Sequence, residues 1–543
     1  MLDEYSDYYA ELLENTYDCV DRIVLNAYFR MGQRAGGFRT WWRQLMGSDD
    51  KLDNTHLMRM AGRFSRRVRA HAQAHQIPLI DCAPGERKHE MAEEHFPTDP
   101  SFIGVFLILV ARAPAPVWDA QCSKSGTIVN LARKYPYANH YSFHILDPDW
   151  GHLTIKMSGH PPFGAQIILN GHDAQRVACQ AGKEGIQFTK EGNCFTQISN
   201  ATRLAQIADT LCSTDIIGRL RQVCERWIYS AGLCLGLDLA KQEKTNFHYD
   251  YLIYQEEYSR NLLFLRGSQL EQVFQGTIDR TRSLLDVQTL KTIFGTKRRP
   301  FRHQAHKAPR CEVVVERPAY DLTVFKLHFG KITAKMYTKG KRVLRIEIIV
   351  HNTKDLHCGR SLPKFSEIIL RLQEILNRFL NVLRCMDVAA ISEDSLDNWL
   401  NASHVGRTRV GGVNVHQPRM RAVLKAVIAL AAAPHGFHCA DLADKVQNST
   451  LRDYTPRQAV APLRGKHLVR KIDNSRRYEP LPEGLQNMAA LLIVREKVLK
   501  PILAGAGKPE RGRKPKHQSQ TDIHYANMQT EMRHLFQTIG LAV

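Results

Sequence analysis

The residues best placed to do chemistry lie in two short alternating segments. Along Arg345-Ile346-Glu347-Ile348 the alternation sends Arg345 and Glu347 to one face and the isoleucines to the other. On the strand that a turn at Gly340 pairs with it, Lys335, Tyr337 and Lys339 share a face, so a carboxylate is expected among cations and a phenol. A second group is a set of histidines, His140, His144, His152, His160 and His172, with Asp147, Asp149 and Asp173 close by in sequence. Imidazoles and carboxylates are what a divalent ion used in phosphodiester cleavage needs, which makes His144, His152 and His160 candidate ligands. Histidines held by structural hydrogen bonds are the alternative reading.

The Tyr337-x-Lys339 hairpin followed by Arg345-x-Glu347 resembles the palm strands of rolling-circle replication initiators. That resemblance covers some thirty residues. It implies a metal role for Glu347, with Tyr337 and Lys339 beside it, and Mg²⁺ or Mn²⁺ as the cofactor if the chain is an enzyme. Those initiators also use tyrosine nucleophiles. The candidates here are Tyr254 and Tyr258, four apart and therefore on one side of a predicted helix Tyr251–Leu270. An ordinary packed helix face shows the same pair. The histidine-apolar-histidine triad of many such nucleases is absent from the sequence.

The elements that must position these groups follow from periodicity. Residues 1–100 read as helical, with an acidic amphipathic segment Tyr5–Asn26 and a helix Thr55–His75 carrying Arg63, Arg66, Arg67 and Arg69 on its polar side. Residues 101–245 form an α+β unit: a buried strand Phe102–Val110, then a hairpin of Tyr141–Leu146 and His152–Met157 around Asp147-Pro148-Asp149-Trp150-Gly151. Residues 246–296 read as helical and 297–310 as a basic linker. A second α+β unit occupies 311–400, strand-rich and covered by a helix Pro363–Leu383, and 401–418 link it to the C-terminal segment 419–503. A basic stretch, 504–520, is expected to be disordered, and 521–543 to be a helix.

Composition narrows the partner. The chain has 543 residues, enough for three or four domains, and a formal net charge of +21. The excess is concentrated: Lys297–Arg310 carries six basic and no acidic side chains, Arg452–Pro480 eight against three, and Gly505–Gln520 five against one. None of these is a basic amphipathic helix with an aromatic face, so nucleic acid is expected rather than a membrane. Twelve scattered cysteines without a C-x-x-C pair read as reduced core residues. The acidic opening is the reverse of a signal peptide, and a cytoplasmic, nucleoid-associated location is the expectation.

The C-terminal segment carries most of that expectation. Arg419–Ala432 has helical spacing, Ala440–Val446 a second short helix, and Thr455-Pro456 an N-cap and first-turn pair opening a third that ends at Gly465. His467–Ile472 and Arg476–Pro480 then flank an Asp473-Asn474-Ser475 turn. This order resembles winged helix-turn-helix DNA-binding domains, in which the third helix enters a groove and the hairpin lies along the backbone. The resemblance implies nucleic-acid contacts from Arg457, Gln458, Arg464 and Lys466 on the helix and Arg470, Lys471, Arg476 and Arg477 on the hairpin. Pro462 departs from the pattern. Lys297, Arg298, Arg299 and Arg302 in the linker add phosphate-binding capacity. So do Arg511, Arg513 and Lys514, where Arg511-Gly512-Arg513-Lys514-Pro515 resembles an AT-hook interrupted by Lys514. The chain as a whole resembles a widespread bacterial protein family, on His140–His172, Glu191–Phe195, Cys224–Ile228, Tyr337–Asn352 and Arg476-Arg477-Tyr478; this implies a mobile-element-associated origin and supplies no activity.

The sequence thus predicts a multidomain α+β protein that binds DNA, or structured RNA, through a C-terminal winged helix, with self-association left open. The alternatives are a metal-dependent nicking or strand-transfer enzyme and an adaptor whose winged helix binds protein.

Overall fold

A computed structural model describes residues 4–48, 52–99, 101–124, 128–172, 174–191, 194–213, 215–232, 238–284, 311–319, 322–387, 398–447, 456–500 and 519–538. In chain order the elements are α1 (Glu4–Tyr8), β1 (Leu13–Phe29), α2 (Ala35–Met46), α3 (Asn54–Ala74), β2 (Leu79–Asp81), α4 (Lys88–Glu94), β3 (Gly104–Pro114), β4 (Val117–Cys122), β5 (Ile128–Lys134), β6 (Tyr137–Asp147), β7 (Gly151–Ser158) and β8 (Ala165–Asn170). There follow α5 (Ala174–Lys183), β9 (Thr189–Glu191), β10 (Cys194–Thr196), α6 (Ala201–Ser213), α7 (Ile216–Gly232), α8 (Leu239–Thr245), β11 (Tyr249–Phe264), α9 (Gly267–Leu284), β12 (Cys311–Ala319), β13 (Leu322–Phe329), β14 (Ile332–Lys339), β15 (Val343–Val350) and α10 (Phe365–Asp387). The C-terminal elements are β16 (Ser403–Val405), β17 (Thr408–Val410), α11 (Pro418–Leu430), β18 (Phe437–His438), α12 (Cys439–Gln447), α13 (Pro456–Gly465), β19 (Val469–Lys471), β20 (Arg477–Pro480), α14 (Pro482–Ile493) and α15 (Gln520–Thr538). The protein is mixed α and β. Among the described residues no helix is long and apolar enough to cross a membrane.

The chain divides into two compact units. The larger comprises residues 13–265 and 331–376, the other residues 1–12, 266–330 and 377–543.

The larger unit is organised on a sheet whose strands run β14-β15-β11-β1-β8-β7-β6-β3-β2. Neighbours in this order pair antiparallel except β2 with β3, which are parallel. One face is apolar. Phe143, Ile155, Ile167 and Leu25 form a row across β6, β7, β8 and β1, each at most 2% exposed, and Ile346, Ile348, Ala334 and Met336 continue it on β15 and β14. Aromatic residues of α2 and α3 help fill the core, with Phe29 edge-on to Trp41 and Phe64 edge-on to Tyr141. Burial on this scale is the main stabilising term for the unit. The other face carries the polar side chains; α4 covers its β3–β6 edge, packing Ala92 with Leu107 and Leu109, and β10 covers it over β11 and β15, where Cys194 packs on Leu263 and Val343.

Two expectations are corrected. Tyr5–Asn26 is not a helix: after the five-residue α1 the chain enters the long strand β1. Tyr251–Leu270 is not one helix either, because Tyr249–Phe264 is β11 and α9 begins at Gly267. These two strands pair along their whole length, from Leu13↔Phe264 to Phe29↔Tyr249. A partner some 240 residues away satisfies the backbone of both, which local periodicity cannot register. The sheet also draws strands from the segments 101–245, 246–296 and 311–400 into one layer.

Candidate functional site

Strands β14, β15, β11 and β1 build the polar group that the sequence singled out. Direct cross-strand partners share a face, so Lys335, Glu347, Ser259 and Cys19 form one row and Tyr337, Arg345, Asn261 and Tyr17 the next. Arg345 is the hub. Its Nε donates to Glu347 Oε1 at 2.7 Å, its Nη1 to Asn261 Oδ1 at 3.0 Å, and its Nη2 lies 2.5 Å from Asp21 Oδ2. Tyr337 Oη donates to Glu347 Oε1 at 2.5 Å, and Lys335 Nζ stands 3.4 Å from Oε2. Burial acts to raise the Glu347 carboxyl, but Arg345, Lys335 and Tyr337 outweigh it and hold it below the ordinary carboxylate range. Burial and the neighbouring Glu347 push the Tyr337 phenol up. Burial, reinforced by Arg345, pulls Lys339 down. Both Glu347 oxygens are thus engaged by side chains of this chain.

The candidate nucleophiles lie elsewhere. Tyr258 is opposite Ile348 on β15, and so on the reverse side of the sheet from Glu347. Its hydroxyl donates to Asp18 Oδ2 at 2.6 Å and accepts from Gln373 Nε2 of α10 at 2.7 Å; burial and Asp18 raise its pKa. Tyr254 sits at a register shift of β11 with the Arg360 guanidinium 5.8 Å from its ring centroid. The pair is therefore not a helix face, and the fold does not bring Tyr258 to Glu347.

The histidines are likewise divided. His144 and His152 meet across the β6–β7 hairpin, Nδ1 to Nε2 at 3.2 Å, with Thr154 Oγ1 3.4 Å from the same Nδ1. Burial, then the second imidazole, lowers the His144 pKa to about 4, so the ring is neutral at pH 7. His160 stands past the hairpin, with its backbone bonded to Ser158 Oγ and Phe163 N. Four strands separate β6 from β15, ~24 Å at the usual strand spacing, so His144 and His152 do not join Glu347. Among the described residues no group of three or more His, Cys, Asp or Glu is arranged to hold a metal ion.

In the smaller unit, α11, α12 and α13 close on a core of Val423, Leu424, Val427, Ile428, Leu442, Val446, Val460 and Leu463. The antiparallel sheet β18-β20-β19 completes it, with Phe437↔Tyr478 and Arg470↔Glu479 in register. Helix α13 runs through Pro462 to Gly465, and His467 at φ +54° turns the chain out of it. Lys471 and Arg476 are exposed, Arg464, Lys466 and Arg477 half-buried. Arg470 is exposed but spoken for: it donates to Glu479 Oε1 at 2.7 Å, while Arg378 holds Oε2 at 2.6 Å. Arg477 Nη1 donates to the His435 carbonyl at 3.3 Å. The backbone at Arg457 and Gln458 is helical. Lys297, Arg298, Arg299, Arg302, Arg511, Arg513 and Lys514 lie outside the described residues.

Asp21, Asn261, Asp18 and Arg260, whose guanidinium donates to both Asp18 oxygens at 2.7 Å, escape the sequence as site residues because they lie on β1 and β11. The alternation Ile23, Leu25, Ala27, Phe29 was the available signal. Comparison of the chain with protein-family models, with curated proteins and with solved structures gives no match.

Proposed function

We propose that the protein binds nucleic acid, duplex DNA foremost, through a winged helix formed by α11–α13 and β18–β20. The observation that carries this reading is the placement of Lys471 and Arg476 in solvent on the hairpin beside α13, with Arg464 and Lys466 at the end of that helix. Three helices and a small sheet whose first strand falls between helices one and two support it, since in winged helices that order presents helix three and the hairpin to a groove and its backbone; here the Gly465 end of α13 also packs against Ser403 of β16 and Val410 of β17. Arg470 contributes less than its exposure suggests, because Glu479 already holds it. The nicking alternative gains no support from a glutamate engaged on both oxygens and a tyrosine on the reverse face.

Charge reversal tests the proposal. In the full chain, Lys471→Glu with Arg476→Glu is expected to weaken duplex binding at least tenfold at ~0.1 M salt. It should also flatten the dependence of log K on log[salt] by about 0.9 for each phosphate that is no longer neutralised. An unchanged affinity and slope, measured by fluorescence anisotropy, would remove the winged helix from the account.

A further inference from the structure

Between α4 at one edge and β10 over β11 and β15, the polar face of the large sheet is half-open across β7, β8 and β1, and this part carries a second site. Across β6, β7, β8 and β1 the residues Ser142, Lys156, Gln166 and Asn26 are mutual cross-strand partners and form one straight row. The next row on one side is His144, Thr154, Ile168 and Val24, and beyond it Asn170 pairs with Arg22. On the other side His140 and Ser158 are partners, and Tyr28 follows Asn26 by two residues on the same face of β1. The middle of this face is open. Ile168, Gln166, Asn170, Asn26 and Lys156 are partly exposed and Arg22 is exposed, although Ile167 and Leu169, on the reverse face of the same strand, are 0% and 2% exposed. A central strand of a wide sheet with one side half-open is a surface left for something to lie on.

Its chemistry names the occupant. Gln166 Nε2 donates to Asn26 Oδ1 at 3.0 Å, which leaves Gln166 Oε1 as an acceptor beside Asn26 Nδ2 as a donor, the paired arrangement that reads the edge of a base. Arg22 and Lys156 bracket that amide pair with positive charge; among the described residues β6, β7 and β8 place no carboxylate on this face, and the carboxylates beside it stand at its β11 border, Glu257 toward Arg22 and Asp250 opposite Tyr28. The His140 imidazole and the Tyr28 ring stand beside the two ends of the row and offer flat surfaces for stacking. A protein partner would need an apolar centre, and here that is limited to Ile168 and Val24. The outer strands of the row are ~14 Å apart, wider than the ~12 Å major groove, so the face cannot enter a duplex. We infer that the polar face of β6–β7–β8–β1 binds single-stranded nucleic acid. Arg22 and Lys156 contact phosphates, and the Asn26–Gln166 pair contacts base edges.

This site is independent of the C-terminal module, and one experiment separates the two. Anisotropy of the full chain is measured with mixed-sequence 20-mers of single-stranded DNA and of RNA, and with a 20-bp duplex. Arg22→Glu with Lys156→Glu is expected to lower single-strand affinity by at least tenfold and the salt slope by about 1.4, at ~0.7 for each phosphate, while duplex binding is kept. Asn26→Ala with Gln166→Ala should cost about tenfold on single strands, and Lys156→Arg should retain binding. Melting temperatures confirm that each variant is folded. DNA and RNA arms identify the sugar. Single-strand affinity unchanged in the folded charge variant, an equal loss on duplex, or no single-strand binding by the parent protein overturns the inference. Single-strand binding that survives Lys471→Glu with Arg476→Glu supports it whatever becomes of the duplex.

Discussion

Replacing Arg345 by leucine is expected to destabilise the protein by about 3–5 kcal/mol, the range for removing one member of a buried ion-paired group. The side chain is 3% exposed and holds two carboxylates, Asp21 and Glu347, whose side chains are 11% and 8% exposed. Without the guanidinium those two charges remain on one sheet face, with Lys335 as the nearby cation for Glu347 and Asn261 Oδ1 keeping the Cys194 thiol, at 3.8 Å, as a donor. The loss is thus mostly the penalty of uncompensated buried charge rather than the worth of the bonds themselves. The triple variant Arg345→Leu, Asp21→Asn, Glu347→Gln should regain most of the loss, since neutral amides carry no such penalty. Urea unfolding at pH 7 provides the measurement; a loss below ~1 kcal/mol for Arg345→Leu would show that the cluster is far better solvated than its burial indicates.

Glu256 gives the second large effect, with a pH signature. It is 0% exposed, and among the described residues neither carboxyl oxygen has a hydrogen-bond partner. It lies opposite Val350 on the apolar side of the sheet, two residues from Tyr258. Burial, then the charge of Glu257, pushes its pKa well above the ordinary carboxylate value, so the folded chain holds this proton to higher pH than the unfolded chain does. The unfolded chain ionises it near the usual 4.5. Between those two values the folded state binds the extra proton, and stability therefore falls as pH rises, by about 1.4 kcal/mol per pH unit for this one group. Glu256→Gln should abolish that slope and be the more stable protein at pH 8, with little difference near pH 4. Glu257 is also raised and contributes its own slope, which the parent-minus-variant difference cancels. Parallel stability curves for parent and variant from pH 4 to 8 would contradict the burial of this carboxyl.

How much of this was legible depended on the range of the interactions. Local devices were readable: Asp147 to Gly151 marks the β6–β7 turn, and Asp147 Oδ1 indeed accepts from the backbone N–H groups of Asp149 and Trp150. Arg345 and Glu347 fall on one face because alternation over three residues needs no partner. The long helix α10 and the helix-helix-helix-hairpin order at the C-terminus were equally plain in periodicity. What failed was β1 and β11. Tyr254 and Tyr258 are four apart, a spacing that puts residues on one side of a helix and of a strand alike, and the deciding fact was a partner strand some 240 residues distant. With β11 read as a helix, its site residues are missed as well: Asn261 and Ser259 escape notice, and nothing places the tyrosines relative to Glu347, whereas register sends Tyr258 to the reverse face. The His144–His152 contact followed from the hairpin, whereas their separation from Glu347 is a matter of strand order that no local pattern encodes.

The central claim is that the α13–hairpin surface meets nucleic-acid phosphates, and photocrosslinking tests it most directly. The full chain is bound to a halogenated duplex at ~0.1 M salt and irradiated, and the adducts are located by peptide mass spectrometry. The account predicts adducts within residues 456–477, disappearing together with affinity in Lys471→Glu, Arg476→Glu. Duplex adducts confined to other segments, with residues 456–477 untouched, would contradict it.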